Sequence, residues 1–487
     1  MRQNQDLSAF WRDRDKALVE ALSKPGGQSS TAQIDNIRGQ IADTERKLAA
    51  TSAQLQKEFP DFAALANPKP LKVEAVQKLL GSYEALVFIL TGDNESYVFA
   101  LTHDGFDWRT IPSGRDEISA KVAAFRRGLE LDTMQLFDLK LANQLYALLL
   151  GPVDALIKDK GNLIVAPSGA LTALPFHLLV TEKPAVSAPQ GKTQPTAEDT
   201  APYRDAAWLI KRQAVSVLPS VASLQALRSL ARADTGGKPM IGFGDPVFSP
   251  RRAPEGDRRA ARSRGAARSY TDYWRGAGLD RNMLLQALPQ LPDTADELKT
   301  IAQALGVSAA DIHLGRDASV TAVKRAPLAD YRIVYFATHG LVAGDVKGLA
   351  EPSLALSVPA NPTEDDDGLL KASEVAQLKL NADWVVLSAC NTVAGEKPGA
   401  EALSGLARAF FYAGARALLV SHWSVASDAA TRLTTSAFAI LKADPTLGRA
   451  QAMRRTMLAY LNDQSSPENA YPAIWGPFAV IGEGGGR

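Results

Sequence analysis

Apolar positions change their period along this chain. Between residues 7 and 59 they keep helical spacing. Ile34, Ile37, Ile41, Leu48 and Leu55 lie three, four, seven and seven apart, while Asp35, Arg38, Asp43, Glu45, Arg46 and Lys47 take the other faces. With Pro25-Gly26-Gly27 ending a first helix, this predicts an N-terminal helical hairpin over residues 1–67. The stripe spans only about three heptads, so packing on the domain that follows is favoured over a coiled coil with a partner. From residue 68 the pattern is that of strands. Residues 85–90, the turn Gly92-Asp93-Asn94 and residues 96–101 read as a hairpin, with 108–111 as a third strand. Residues 114–157 then read as helical, and 163–166, 216–218 and 240–243 as short strands. Such alternation predicts an α/β fold, a layered domain with a mostly parallel sheet flanked by helices.

Two stretches break the alternation. Residues 182–204 are rich in Pro, Ala, Thr and Gln without apolar periodicity and read as a loop. Residues 249–281 carry nine arginines against four acids, with Tyr270, Tyr273 and Trp274 near the end. A solvated insertion is favoured there over a nucleic-acid surface, because a charge run without a recognition motif has little specificity. The expected divisions are therefore 1–67, 68–250, an Arg-rich loop 251–281, and 282–487.

Composition narrows the function classes. With 54 Lys+Arg against 53 Asp+Glu, the formal charge is +1, so no global field draws the chain to nucleic acid or an anionic membrane. No stretch reaches 18 uncharged apolar residues, and the polar N-terminus lacks a signal-peptide core; a soluble, cytoplasmic protein is expected. The single cysteine, Cys390, excludes intramolecular disulfides and a Cys-rich zinc module. His103, His177 and His313 show no ligand spacing, so neither a metal nor a cofactor is expected. Gly242-Phe243-Gly244-Asp245-Pro246 lacks the third glycine of a dinucleotide loop, and Pro246 breaks the helix such a loop must open, so it reads as a turn.

The chemistry concentrates in residues 331–425. The apolar run 332–337 ends in Thr338-His339-Gly340, and a second, 384–389, ends in Cys390-Asn391-Thr392. Between them Leu369, Leu370, Val375, Ala376 and Leu378 suggest a crossover helix, so the two strands should run parallel and end on one edge of the sheet. That edge is where α/β sheets bind ligands. His339 precedes Cys390 by 51 residues, and a histidine about fifty residues before a cysteine is the caspase arrangement. A lone buried cysteine or histidine is usually structural, but together they supply a thiolate and a group to protonate a leaving amine. Gly340, lacking Cβ, lets its N–H approach an oxyanion alongside the N–H of Cys390. Thr338 is a candidate for orienting the imidazole. The strand 417–421 should lie beside Cys390, making Ser421, Trp423 and Asp428 candidates for the first substrate pocket. Asp428 reads equally as a helix-start carboxylate, and His422 as a packing or surface residue rather than a catalytic one.

As a set, 335–340 (YFATHG), 387–392 (LSACNT), 405–410 (GLARAF) and 419–425 (LVSHWSV) resemble the motifs of the CHAT domain, the caspase-like module often found with TPR arrays. Weaker similarity runs through 162–169 with 174–176, and 291–294 with Glu297-Leu298, so the resemblance covers roughly residues 70–487. It implies a cysteine endopeptidase related to caspases, separases and gingipains, with Cys390 as nucleophile and His339 as general acid and base. It further implies a bacterial protease in defence or cell death, held inactive until a sensor is engaged, whose protein substrate could be a gasdermin-like pore former. No TPR array is present, so a fragment of a longer protein or a separate regulator is expected. The rival expectations are a catalytically idle scaffold that keeps the fold and, third, a nucleotide-binding regulator.

Overall fold

The computed structural model describes Phe10, Arg14 and residues 31–58, 71–129, 136–185, 197–229, 237–248, 288, 290–341, 351–363, 365–388, 402–423, 425 and 427–485. The chain forms two compact units, Met1–Pro70 and Leu71–Arg487. In the first, helix α1 (Thr31–Glu58) carries the stripe expected of it. Ile34, Ile37 and Ile41 are half-buried, while Asp35, Arg38 and Glu45 are exposed. Of the hairpin's other arm only Phe10 and Arg14, both helical, fall among the described residues.

The second unit is built on one 11-stranded sheet. Its first strands are β1 (Glu84–Thr91), β2 (Ser96–Thr102), β3 (Phe106–Ile111), β4 (Asn162–Ala166), β5 (Ala214–Val217), β6 (Lys238–Gly244), β7 (Ile312–Leu314) and β8 (Tyr331–Ala337). Next, β9 (His339–Leu341), β10 (Ser353–Ala355) and β11 (Leu369–Lys371) form a separate three-stranded sheet. The chain then returns to the large sheet with β12 (Trp384–Leu387), β13 (Ala417–Ser421) and β14 (Phe478–Gly482). Strand order is β3-β2-β1-β4-β5-β14-β13-β12-β8-β6-β7. Only the β1–β2, β2–β3 and β13–β14 pairs are antiparallel.

Helices cover the sheet on both faces, which is why β4, β12 and β13 are buried at every residue and read as unbroken apolar runs. The helices used below are α2 (Arg115–Arg127), α3 (Leu139–Leu149), α4 (Ala197–Asp205), α5 (Asp293–Leu305), α6 (Ala402–Ala413), α7 (Ser427–Ala443) and α8 (Arg449–Asn462). Along β8 the faces alternate. Ile333, Tyr335 and Ala337 join one core with residues of α5, α7 and α8, whereas Phe336 packs oppositely, 5.4 Å from the Phe243 ring and 5.7 Å from that of Phe410 on α6.

Three expectations need correction. The composition-based loop 182–204 ends in α4, because Tyr203 is fully buried and donates its hydroxyl to the Phe137 carbonyl at 2.8 Å. The connection from β8 to β12 is not mainly a helix. Gly368, at φ 82°, turns the chain so that Leu369 and Leu370 pair with β10, leaving only the short helix Ala372–Val375. Gly242 and Gly244 belong to β6 rather than to a turn; Leu298 of α5 presses so close that a Cβ would meet it at 2.9 and 2.6 Å. The last strand, β14, lies between β13 and β5, joining the two halves of the sheet. The Arg-rich stretch 251–281 lies outside the described residues.

At the edge where β8, β12 and β13 begin, Asp383 binds three arginines. Its carboxylate takes Arg332 and Arg449 at 2.9 Å and Arg416 at 3.7 Å, with Asp383, Arg416 and Arg449 all largely shielded from water. Removing one member of such a buried cluster leaves the others without compensation. Asp383→Asn should therefore lower unfolding stability by about 3 kcal/mol, read by urea denaturation, while leaving the rate of Cys390 alkylation in the folded protein unchanged, since that chemistry belongs to the other edge.

Candidate active site

The site begins with two strands side by side. β8 and β12 are parallel neighbours, paired from Ile333 with Trp384 to Phe336 with Leu387, and β13 runs parallel on the far side of β12. All three segments leave the sheet at one edge, and the Ser388 N–H still donates to the Phe336 carbonyl at 3.0 Å. The Phe336–Leu387 pair is offset by the same interval in sequence that separates His339 from Cys390. Cys390, with residues 389–401, lies outside the described residues.

His339 opens β9 and is 2% exposed. Its ring lies 5.4 Å from that of Phe248, which belongs to an apolar cluster with Leu288, Leu341, Ala355, Val358 and Leu369. Gly340 stands opposite Leu354 in the β9–β10 ladder. Thr338 does not present its hydroxyl proton to the imidazole; it donates to the Ala355 carbonyl and ties the end of β8 to β10. Ser421 ends β13 and is buried opposite Phe478. Trp423 is buried too, its indole N–H donating to the Ala473 carbonyl at 2.9 Å. Asp428 is exposed in the first turn of α7, where its carboxylate accepts from the Ala429 N–H at 2.8 Å, a favourable place for negative charge.

Sequence reasoning gave no role to the polar cluster behind this edge. Glu297 of α5, 3% exposed, accepts a hydrogen bond from the Tyr335 hydroxyl of β8. The Ser388 side chain hydrogen-bonds both the carboxyl and the phenol, and Thr434 of α7 also bonds the phenol. Burial pushes the Glu297 carboxyl up to about 7, against the pull of its bonds to Tyr335 and Ser388. Tyr335 is held well above the ordinary phenol range, first by burial and then by the adjacent carboxyl. One signal was available in the sequence: Glu297 occupies the buried stripe of α5 made by Thr294, Ala295, Leu298, Ile301 and Ala302, where a carboxyl is costly unless it serves something.

The fold and this edge define a layered α/β protein whose candidate chemistry lies beyond the carboxyl ends of central parallel strands. The chain belongs to the CHAT domain family, whose model matches residues 139–483. That match begins at α3, so β1–β3 lie outside it although the resemblance was expected to start near residue 70. Among solved structures, the chain is similar to a separase–securin complex from Saccharomyces cerevisiae at 3.0 Å, with 8% identity and a TM-score of 0.43, covering 88% of this chain and 31% of the matched one. A second structure of that complex, at 2.6 Å, gives 9% identity and a TM-score of 0.38, covering 98% and 38%. The chain thus spans about a third of the length of the chains it matches there. None of the curated proteins matches it. Among the described residues no helix is long and apolar enough to cross a membrane, and no group of three or more His, Cys, Asp or Glu could hold a metal.

Beyond β13 two histidines pack against each other, the rings of His422 and His177 being 6.4 Å apart. His177 bonds the Gly476 carbonyl at 2.8 Å, while neither ring nitrogen of His422 has a hydrogen-bond partner. Burial lowers His177 to about 4 and holds His422 well below its ordinary 6.5, with Arg126 and His177 adding repulsion. Both rings are therefore neutral in the native protein, and of the packing and surface roles open to His422 in the sequence, its burial gives it the first. As pH falls below 6.5 the unfolded chain binds protons that the native chain refuses, so stability present above that pH is lost on acidification. His422→Phe should flatten this loss. The difference in unfolding free energy between variant and parent, measured by denaturant titration from pH 7.5 to 4.5, should shift towards the variant as pH falls; a constant difference would show that His422 does not contribute.

Proposed function

We propose that the chain is a cysteine endopeptidase that cuts a protein partner, with Cys390 as nucleophile and His339 as general acid and base. The observation that carries the reading is the parallel β8–β12 pair, which leads the chain to both residues from adjacent strand ends. The substrate backbone lies along that edge. The Cys390 thiol passes its proton to His339 and the sulfur attacks the scissile carbonyl, forming a C–S bond as the carbonyl π bond opens to an oxyanion held by the N–H groups of Gly340 and Cys390. His339 delivers its proton to the leaving amine as the C–N bond breaks, and water then hydrolyses the acyl-enzyme, with His339 taking up the water's proton. Ser421, Trp423 and Asp428 bound the first pocket; a carboxylate there favours a basic residue before the cut. Membership of the CHAT family supports a regulated protease, and we place its action in bacterial defence or cell death, on an effector protein such as a gasdermin-like pore former, under a TPR or other sensor.

The burial of His339 beside Phe248 supports a latent enzyme whose imidazole meets substrate only after its apolar cover moves. The same burial fits a catalytically idle scaffold, and the test separates the two. A peptide-library cleavage profile should give a defined set of cut sites for the parent protein, with kcat/KM lowered about a thousandfold or more in Cys390→Ala and in His339→Ala. Covalent labelling by a thiol-directed peptide electrophile should likewise require both residues. Labelling indifferent to His339, with no peptide cut even in the presence of an activating partner, would favour the scaffold.

A further inference from the structure

Glu297 asks for an explanation that folding does not supply. A carboxyl at 3% exposure in the middle of a helix's apolar stripe displaces a side chain that would pack at no polar cost. The groups that meet it are neutral: Tyr335 from β8, Ser388 just past β12, and Thr434 of α7 through the phenol. β6 and β7 also pack against α5: β6 brings Gly242 and Gly244, which adjoin Leu298, and β7 brings Ile312, while its His313 stacks on Phe243 at 4.9 Å, on the Phe336 side of the sheet and away from Tyr335. The nearby charges of α5 and α7 are engaged at the surface, Lys299 with Asp296 at 3.8 Å and Arg432 with Asp463 at 2.6 Å. Among the described residues, no cation contributes to the state of the carboxyl.

What this cluster holds is the exit of β12. Ser388 is the last described residue before the cysteine, its N–H is fixed to the Phe336 carbonyl at 3.0 Å, and its side chain is fixed to Glu297 and Tyr335. Backbone and side chain of one residue are thus both tied down, two positions ahead of Cys390. We propose that Glu297, acting through Tyr335 and Ser388, is a positioning residue that sets the path of the chain leaving β12 and thereby the reactivity of the Cys390 thiol. The proposal rests on the protease reading only in taking Cys390 as the reacting group.

The carboxyl can work in two states. Ionised, it accepts the protons of both hydroxyls and holds Ser388 firmly. Protonated, it gains a donor and keeps less acceptor capacity, so the hydrogen bonds it shares with Tyr335 and Ser388 rearrange and the anchorage of Ser388 changes. Burial brings this change near neutral pH, which makes it visible in a pH profile.

Cys390 is the only cysteine, so alkylation of the folded full-length protein by iodoacetamide reports on that thiol alone. The rate in the parent protein should show an inflection near pH 7, from Glu297, besides the thiol's own titration. Glu297→Gln, which keeps the shape but cannot ionise, should lose that inflection and change the plateau rate about tenfold, on the order expected for a displacement below 1 Å. Tyr335→Phe removes a donor to the carboxylate and should move the inflection to higher pH. Ser388→Ala cuts the link and should remove the inflection although Glu297 itself is kept, and it decides the matter should Glu297→Gln fail to fold. Profiles of parent and folded variants that superimpose would overturn the proposal. Failure of the protease reading appears elsewhere, as absent peptide cleavage and a thiol indifferent to His339→Ala, and leaves this measurement intact.

Discussion

The parallel pairing of β8 with β12 is the constraint on which the rest of the molecule depends. Parallel neighbours deliver their following residues to one edge, and the hydrogen-bonded register decides which residues arrive at the same height. Here Phe336 faces Leu387, and every residue of both partners is walled in by helices, apart from exposed Arg332 at the start of β8. A slip of one residue would turn Tyr335 out of its core and Phe336 into it, a double loss that fixes the register. At the strand starts the Asp383 cluster ties β8, β13 and α8 to the residue preceding β12. The strands are therefore clamped at one end and free to carry function at the other.

That division separates two kinds of buried charge. Asp383 is compensated by three guanidiniums, which suits a structural clamp at the edge without chemistry. Glu297 meets only hydroxyls, so its ionisation is expensive and its proton is held far above the ordinary carboxylate range. Both are acids in the interior of one sheet domain, and their partners give them opposite characters. A local rule broken at the functional end and obeyed at the structural end is the pattern expected where a fold trades packing for a working group.

Much of the fold was legible because period and burial coincide. The hairpin β1–β2, the buried runs of β4, β12 and β13, and the stripe of α1 all carry their state in residues a few positions apart. What escaped depends on distant partners. Tyr203 looks like part of a polar loop until its hydroxyl finds the Phe137 carbonyl across 66 residues. Leu369 and Leu370 look helical until Gly368 turns them against β10. Gly242 and Gly244 look like a turn because the pressure of Leu298 cannot be seen from their own neighbours. For the candidate site, residue types and spacing pointed to β8 and β12, which pair in parallel with an offset in register equal to that spacing. The Glu297 cluster was unreadable as a unit because its members come from α5, β8, the end of β12 and α7.

The position of β14 extends the argument from the site to the whole second unit. The last strand of the chain lies between β5 and β13, parallel to the first and antiparallel to the second, so the N-terminal strands reach the β13–β12–β8 group only through it. Arg126 of α2 makes the same connection in side chains, donating to the Ala173 carbonyl at 3.0 Å and to the His422 carbonyl at 2.8 Å, just beyond the end of β13. Removing the N-terminal strands would thus expose the apolar flank of β14 and release the backbone that follows Ser421. The N-terminal half of the sheet is therefore a buttress for the end of β13, and the long sequence separation of these contacts means that this support is complete only when β14 is in place.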